Sequence, residues 1–170
     1  EDQDKWRLSG IFRDVYLLSV PSVHMFDIRI RTHLDETYRE GVLELAVTLR
    51  NRSDRLGEAC GVHAVLLGSA HELASATLAN DALAPRSEVV VHAEFPISDP
   101  ELWSAEQPSL YTLLLTMTNA EGQPTEAHRY TVGFRDVKVE SGRLLVNGMP
   151  IILRGVNRNE FDPDLGHVTT

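Results

Sequence analysis

Apolar and polar residues alternate along most of this chain. Leu43, Leu45, Val47 and Leu49 point one way while Glu44, Thr48 and Arg50 point the other, the two-residue period of a half-buried antiparallel strand. The same period runs through Ile28, Ile30 and Thr32 against Arg29 and Arg31, through Val62 to Leu67, and through Val89, Val91, Ala93 and Phe95 against Glu88, His92 and Glu94. It returns in Tyr111, Leu113, Leu115 and Met117 against Thr112, Thr116 and Thr118, and again in Tyr130, Val132 and Phe134. With the apolar segment Val15 to Val20 taken as an opening strand, the pattern predicts about seven short strands.

Turn-forming residues separate these runs: Pro21-Ser22, Leu34-Asp35-Glu36, Asn51 to Gly57, Asn80-Asp81, Ser98-Asp99-Pro100 and Asn119 to Gln123. No long 3.6-residue period interrupts them to supply a crossover helix, so the pattern predicts an all-β, antiparallel sandwich. Residues 72–83 are rich in alanine, which suits a helix. Their place between two strand runs favours a short strand followed by a loop. After Phe134, the runs 137–139, 143–146 and 151–153 predict a small additional group of strands. Asn147-Gly148 lies between the last two, and both positions of a two-residue hairpin turn require positive φ. Pro150 has no N–H to give a ladder, so the return strand lies at an edge there or starts beyond it. From Arg154 onward the apolar period stops, and the segment reads as a loop leading into further structure.

Composition narrows the class. The chain has 170 residues, enough for one domain with connecting segments, and 42% hydrophobic with 24% charged residues suits a folded, soluble protein. A net charge of −9 argues against a phosphate-backbone partner, which Lys and Arg must neutralise. No run of about 18 apolar residues predicts a membrane span. The acidic opening, Glu1 to Trp6, is unlike a signal peptide and reads as the middle of a longer polypeptide. Cys60 is the sole cysteine and sits among Ala59, Gly61 and Val62, where it reads as a small buried hydrophobe rather than a reactive thiol. Asn51-Arg52-Ser53 has the form of a glycosylation acceptor but, without a sign of secretion, is read as a turn.

Three segments carry a resemblance. Residues 3–15, QDKWRLSGIFRDV, are similar to the junction of β-galactosidases of glycoside hydrolase family 2 that joins a sugar-binding jelly roll to an immunoglobulin-like domain. Residues 99–111, DPELWSAEQPSLY, resemble the family's turn before a late sandwich strand. Residues 132–135, VGFR, with 145–158, LVNGMPIILRGVNR, resemble the hairpin entering its catalytic (β/α)8 barrel. The resemblance covers almost the whole chain, with residues 35–95 agreeing only in strand pattern. It implies a linker at 1–14, an immunoglobulin-like sandwich at 15–135, and a hairpin and loop from the start of the barrel at 136–170.

The resemblance further implies a parent enzyme that cleaves terminal β-galactosides such as lactose with retention, using two carboxylates about 5–5.5 Å apart. In the family both glutamates and the magnesium ligands come from barrel loops beyond residue 170. This chain is therefore expected to be an inactive scaffold with no cofactor and no metal site of its own, while the parent takes magnesium and a monovalent cation. The expected partners are the adjoining jelly roll and barrel, with the galactoside bound only in the full enzyme. The parent is expected to be a cytoplasmic homo-oligomer.

One position bears on substrate. Where the family has a histidine after the second arginine of R-G-V-N-R-H-E, this chain has Asn159, which can hydrogen-bond but cannot carry charge. Asn159 is the candidate substrate-binding residue, and its alternative is a plain loop position. Glu160, Asp162, Asp164 and His167 cluster in sequence, but their spacing fits no EF-hand or zinc pattern. Trp6 and Trp103 have rings that can stack on a sugar, although both lie in junction motifs where packing is expected. Two other readings remain: a stand-alone carbohydrate-binding module, and the same domain of a β-glucuronidase or β-mannosidase.

Overall fold

A computed structural model describes residues 10–11, 13–69, 71–157 and 162–166. The chain divides into a larger compact unit, Val20–Ile151, and a smaller one formed by Glu1–Ser19 with Ile152–Thr170. The described residues contain no helix, hence none long and apolar enough to cross a membrane.

The larger unit holds ten strands: β1 Val23–Leu34, β2 Glu40–Asn51, β3 Cys60–Leu67, β4 Glu72–Asn80, β5 Glu88–Ser98, β6 Tyr111–Thr118, β7 Pro124–Val132, β8 Val137–Glu140, β9 Arg143–Val146 and β10 Met149–Pro150. The first seven form two antiparallel sheets, β1-β2-β5 and β4-β3-β6-β7, and the last three form a separate small sheet in the order β10-β9-β8. The alternation in β2 does what its period requires, since Leu43, Leu45, Val47 and Leu49 are buried at 0–1% exposure. They meet Val62, Ala64, Leu66, Leu113 and Leu115 from the facing sheet in one core. Each such side chain contributes about 1.5–3 kcal/mol by leaving water, so this interior is the main source of stability. The fold is the expected all-β, immunoglobulin-like sandwich.

Several elements differ from the sequence expectation. Val15 to Val20 form no strand, and Leu17 is fully exposed. A strand needs a ladder partner as well as apolar content, and none of the described strands pairs with these residues. Residues 72–80 form β4, so position between strands prevails over alanine content, and Leu83 in the following loop joins the core. β7 stops at Val132, and Phe134 instead makes an isolated parallel bridge with Leu102. The return strand of the hairpin is Met149–Pro150 rather than 151–153, because a two-residue turn places Met149 opposite Val146. Only the Ile151 N–H, donating to Leu144 O at 3.0 Å, continues the pairing. β10 is an edge strand, which accommodates Pro150.

Asn51 is buried at 1% exposure. Its amide donates to the carbonyls of Arg55, Leu83 and Ala84, and its Oδ1 accepts from the Ser53 N–H and hydroxyl. The acceptor-like sequence therefore holds a structural asparagine that ties two loops together. Cys60 is buried in the core, and burial pushes its thiol pKa up, as an inert cysteine requires.

Candidate functional site

The chemically distinctive part of the larger unit is where two of the three motif segments meet. The Trp103 N–H donates to Phe134 O at 2.9 Å, so residues 102–103 run beside the chain leaving β7. Tyr111 meets the fully buried Phe134 edge-on, with centroids 5.3 Å apart, and its hydroxyl accepts from the Glu101 N–H at 2.7 Å. The Thr32 hydroxyl donates to Gly133 O at 3.0 Å and ties β1 to the same stretch. Gly133 must remain small, since a Cβ there would lie 3.1 Å from Trp103 Cβ.

Asn147 then attaches the small sheet. Its backbone N–H donates to Asp136 O at 2.9 Å, its Oδ1 accepts from the Asp136 N–H at 2.9 Å, and its Nδ2 donates to Trp103 O at 3.0 Å. Asn147 and Gly148 have φ of 50° and 73°, the left-handed pair that the two-residue turn demands. The Tyr38 hydroxyl donates to Asp136 Oδ2 at 3.3 Å, and Lys138 pairs with the same oxygen at 2.8 Å. Hydrogen bonding and charge from Asp136 raise the Lys138 pKa. The result is a clasp in which one asparagine and one aspartate hold β8–β10 to the sandwich.

Register sorts the clasped sheet into two unlike faces. Val137, Val146 and Met149 lie across from one another, as do Val139 and Leu144, and Ile151 follows on the same face. Lys138, Glu140 and Arg143 occupy the other, together with Leu145 and Pro150. Val139 and Met149 remain 77% and 69% exposed, so an all-apolar strand face stands open to water.

The other described candidates are engaged in contacts of their own. A cleft of about 420 Å³ beside Trp103, lined also by Ile30, Thr32, Leu110, Tyr130 and Arg135, contains no carboxylate. The Arg135 guanidinium lies 4.7 Å over the Trp103 ring, so that face is occupied by protein rather than open for a sugar. Two carboxyl groups among the described residues are shifted, both downward. Asp35 falls to about 2, mainly through the Thr37 hydroxyl and the Glu40 N–H, and Asp54 is lowered by its hydrogen bond and ion pair with Arg86. Asp162 Oδ1 accepts from the Asp164 and Leu165 N–H groups in a turn. Among the described residues no group of three or more His, Cys, Asp or Glu is placed to hold a metal ion. Asn159, Glu160, His167 and Trp6 lie outside the described residues.

Sequence reasoning identified Asn147-Gly148 as a turn but missed its bonds to Trp103 and Asp136. The available signal was asparagine inside a recognisable motif at a position that also accepts Asp or Gly.

The fold and its clasp define an immunoglobulin-like sandwich that carries a tethered small sheet. Residues 23–135 match the family described as "Glycosyl hydrolases family 2". A β-galactosidase of Aeromonas hydrophila subsp. hydrophila is 41% identical over 174 residues, covering 100% of this chain and 16% of its own length. A β-galactosidase of Priestia megaterium is 41% identical over 163 residues, covering 95% and 16%. Among solved structures, Parabacteroides merdae β-glucuronidase superposes with a TM-score of 0.71 at 25% identity, covering 88% of this chain and 18% of that one. Bacteroides uniformis β-glucuronidase 2 superposes at 0.84 over 98% and 21%, and at 22% identity it speaks to the fold alone. The chain belongs to glycosyl hydrolases family 2, and it spans about 16% of the length of those curated relatives.

Proposed function

We propose that this chain is an internal scaffold domain of a retaining β-galactosidase, and that it holds a sugar-binding domain and a catalytic barrel in fixed relation without cleaving sugar itself. The observation that carries this reading is the clasp at Asn147 and Asp136, which fixes the small sheet to the sandwich and leaves its apolar face open. A strand face of Val137, Val139, Leu144, Val146, Met149 and Ile151 is a poor surface for water and a good one for packed protein. The barrel polypeptide following this chain is the proposed cover. The names of the 41% identical relatives support galactosides as substrates.

In this reading hydrolysis uses two carboxylates outside this chain, and the parent's magnesium and monovalent cation are held there too. The described carboxylates do not fit a metal, since Asp162 Oδ1 serves backbone amides and Asp35 serves its own loop. Asn159 is the one proposed contact to substrate from this chain. A β-glucuronidase parent is the second reading, supported by the 25% identical β-glucuronidase of Parabacteroides merdae. An independent sugar-binding module is less favoured because Arg135 covers the Trp103 ring.

The test is direct. The purified chain is incubated with chromogenic β-galactoside and β-glucuronide and titrated with galactosides by calorimetry. Neither release nor binding is expected. Galactose released by this chain alone refutes the scaffold reading, and a saturable binding isotherm supports the module. The same substrates given to the longer polypeptide separate galactosidase from glucuronidase.

A further inference from the structure

The sandwich has four edge strands, β1 and β5 on one sheet and β4 and β7 on the other. An edge strand offers unpaired N–H and C=O groups to any passing strand, and folded proteins usually guard it with charge, proline or a bulge. β1 carries Asp27, Arg29 and Arg31 and a register shift between Met25 and Asp27, and its Met25 N–H is taken by the Glu126 carboxylate at 2.9 Å. β5 contains Pro96 between Glu94 and Ser98. β7 begins at Pro124 and carries Glu126, His128 and Arg129. β4 opens with Glu72 and a register shift at Leu73, but from Ala74 to Ala79 it has none of these devices, and its ladder to β3 runs without interruption from Ala74 to Asn80.

We propose that the free edge of β4 pairs antiparallel with β4 of a second copy of this chain, joining two four-stranded sheets into one of eight strands. The sequence of β4 is compatible with itself in that orientation. A two-fold axis at Thr77 sets Thr77 against its own copy, Ala76 against Leu78, Ser75 against Ala79 and Ala74 against Asn80. Every pair keeps both members on the same face, as antiparallel register requires. Ser75, Thr77 and Ala79 stay on the exposed face, while Ala74, Ala76 and Leu78 extend the half-buried one already packed on the core. No like charges meet, because Glu72 falls outside the seven paired residues. The other three edges, paired with themselves, bring charged groups or a proline into the ladder.

The experiment compares the full chain with Thr77→Lys and Ala79→Lys by sedimentation velocity over a wide concentration range. Both positions are exposed, and near-ultraviolet circular dichroism checks that each variant is folded. The parent sequence is expected to form a dimer that each lysine weakens by about tenfold or more, since Thr77→Lys sets two ammonium groups opposite each other. Val90→Lys, on the exposed face of the other sheet, is expected to leave the dimer intact. A Ser75→Cys, Ala79→Cys double variant is expected to cross-link between copies on oxidation. A chain that is monomeric throughout overturns the proposal. So does a dimer that ignores both lysines or yields to Val90→Lys, because it would use another surface.

Discussion

Removing the Asn147 side chain tests whether the clasp orders the small sheet. Asn147→Gly keeps a residue at ease with φ near 50° but loses the bonds to the Asp136 N–H and Trp103 O. Two hydrogen bonds at about 1 kcal/mol each give a loss of about 2 kcal/mol. Asn147→Ala loses the same bonds and also forces a Cβ into left-handed backbone, for about 1 kcal/mol more. The sandwich core lies elsewhere, so the effect belongs to local opening of β8–β10. Amide hydrogen exchange read by NMR at the Asn147 and Ile151 N–H groups is expected to quicken about 30-fold in the glycine variant and above 100-fold in the alanine variant. Core amides of β2 and β6 should hold their rates. Unchanged hairpin exchange in both variants refutes the clasp, and equal exchange in the two refutes the backbone part of the reasoning.

Gly41→Ala is expected to destabilise the chain by about 1–3 kcal/mol in urea unfolding, because the new Cβ would lie 2.9 Å from Phe134 Cδ1 and Cε1 and the buried ring has no room to retreat. Asn51→Ala removes one donor from each of three carbonyls that keep another, and takes the acceptor from the Ser53 N–H and hydroxyl, so it should cost about 1–3 kcal/mol by the same assay. The unaltered chain expressed through a secretory route should carry no glycan at Asn51 by mass spectrometry. Asp35 contributes a pH dependence of known sign. Its folded pKa of about 2 lies below the ordinary aspartate value of 3.8, so its stabilisation is present above about 4 and is lost as pH falls through 2. Asp35→Asn should flatten that limb of the acid unfolding curve measured by circular dichroism.

Strand existence was legible wherever one face is buried, because burial enforces the two-residue period, as in Leu43 to Leu49 or Tyr111 to Met117. It was illegible where apolar content lacks a ladder partner. Val15 to Val20 look strand-like in composition, yet pairing is a property of the neighbours. The turn Ser141-Gly142, with φ of 49° and 73°, was not singled out because serine is a weaker signal for positive φ than asparagine. The Asn147 bonds were hidden for a different reason. Its partners Asp136 and Trp103 lie 11 and 44 residues away, and only the fold brings their backbone groups within reach.

The 25 acidic residues raise the question whether this chain could assemble a glycosidase pair of its own. A general acid must stay protonated near neutral pH, which requires a carboxyl withdrawn from water without donors to stabilise its charge. The opposite holds here. The shifted carboxyls, Asp35 and Asp54, are held down by hydroxyl, amide and guanidinium donors. The buried polar side chains among the described residues are His24 and Asn51, with no carboxylate between them. A sandwich that spends its interior on leucine, valine and phenylalanine leaves its acids on solvated strand faces, where they raise solubility and repel like charge. Among the described residues, then, no carboxyl has the surroundings that a general acid needs.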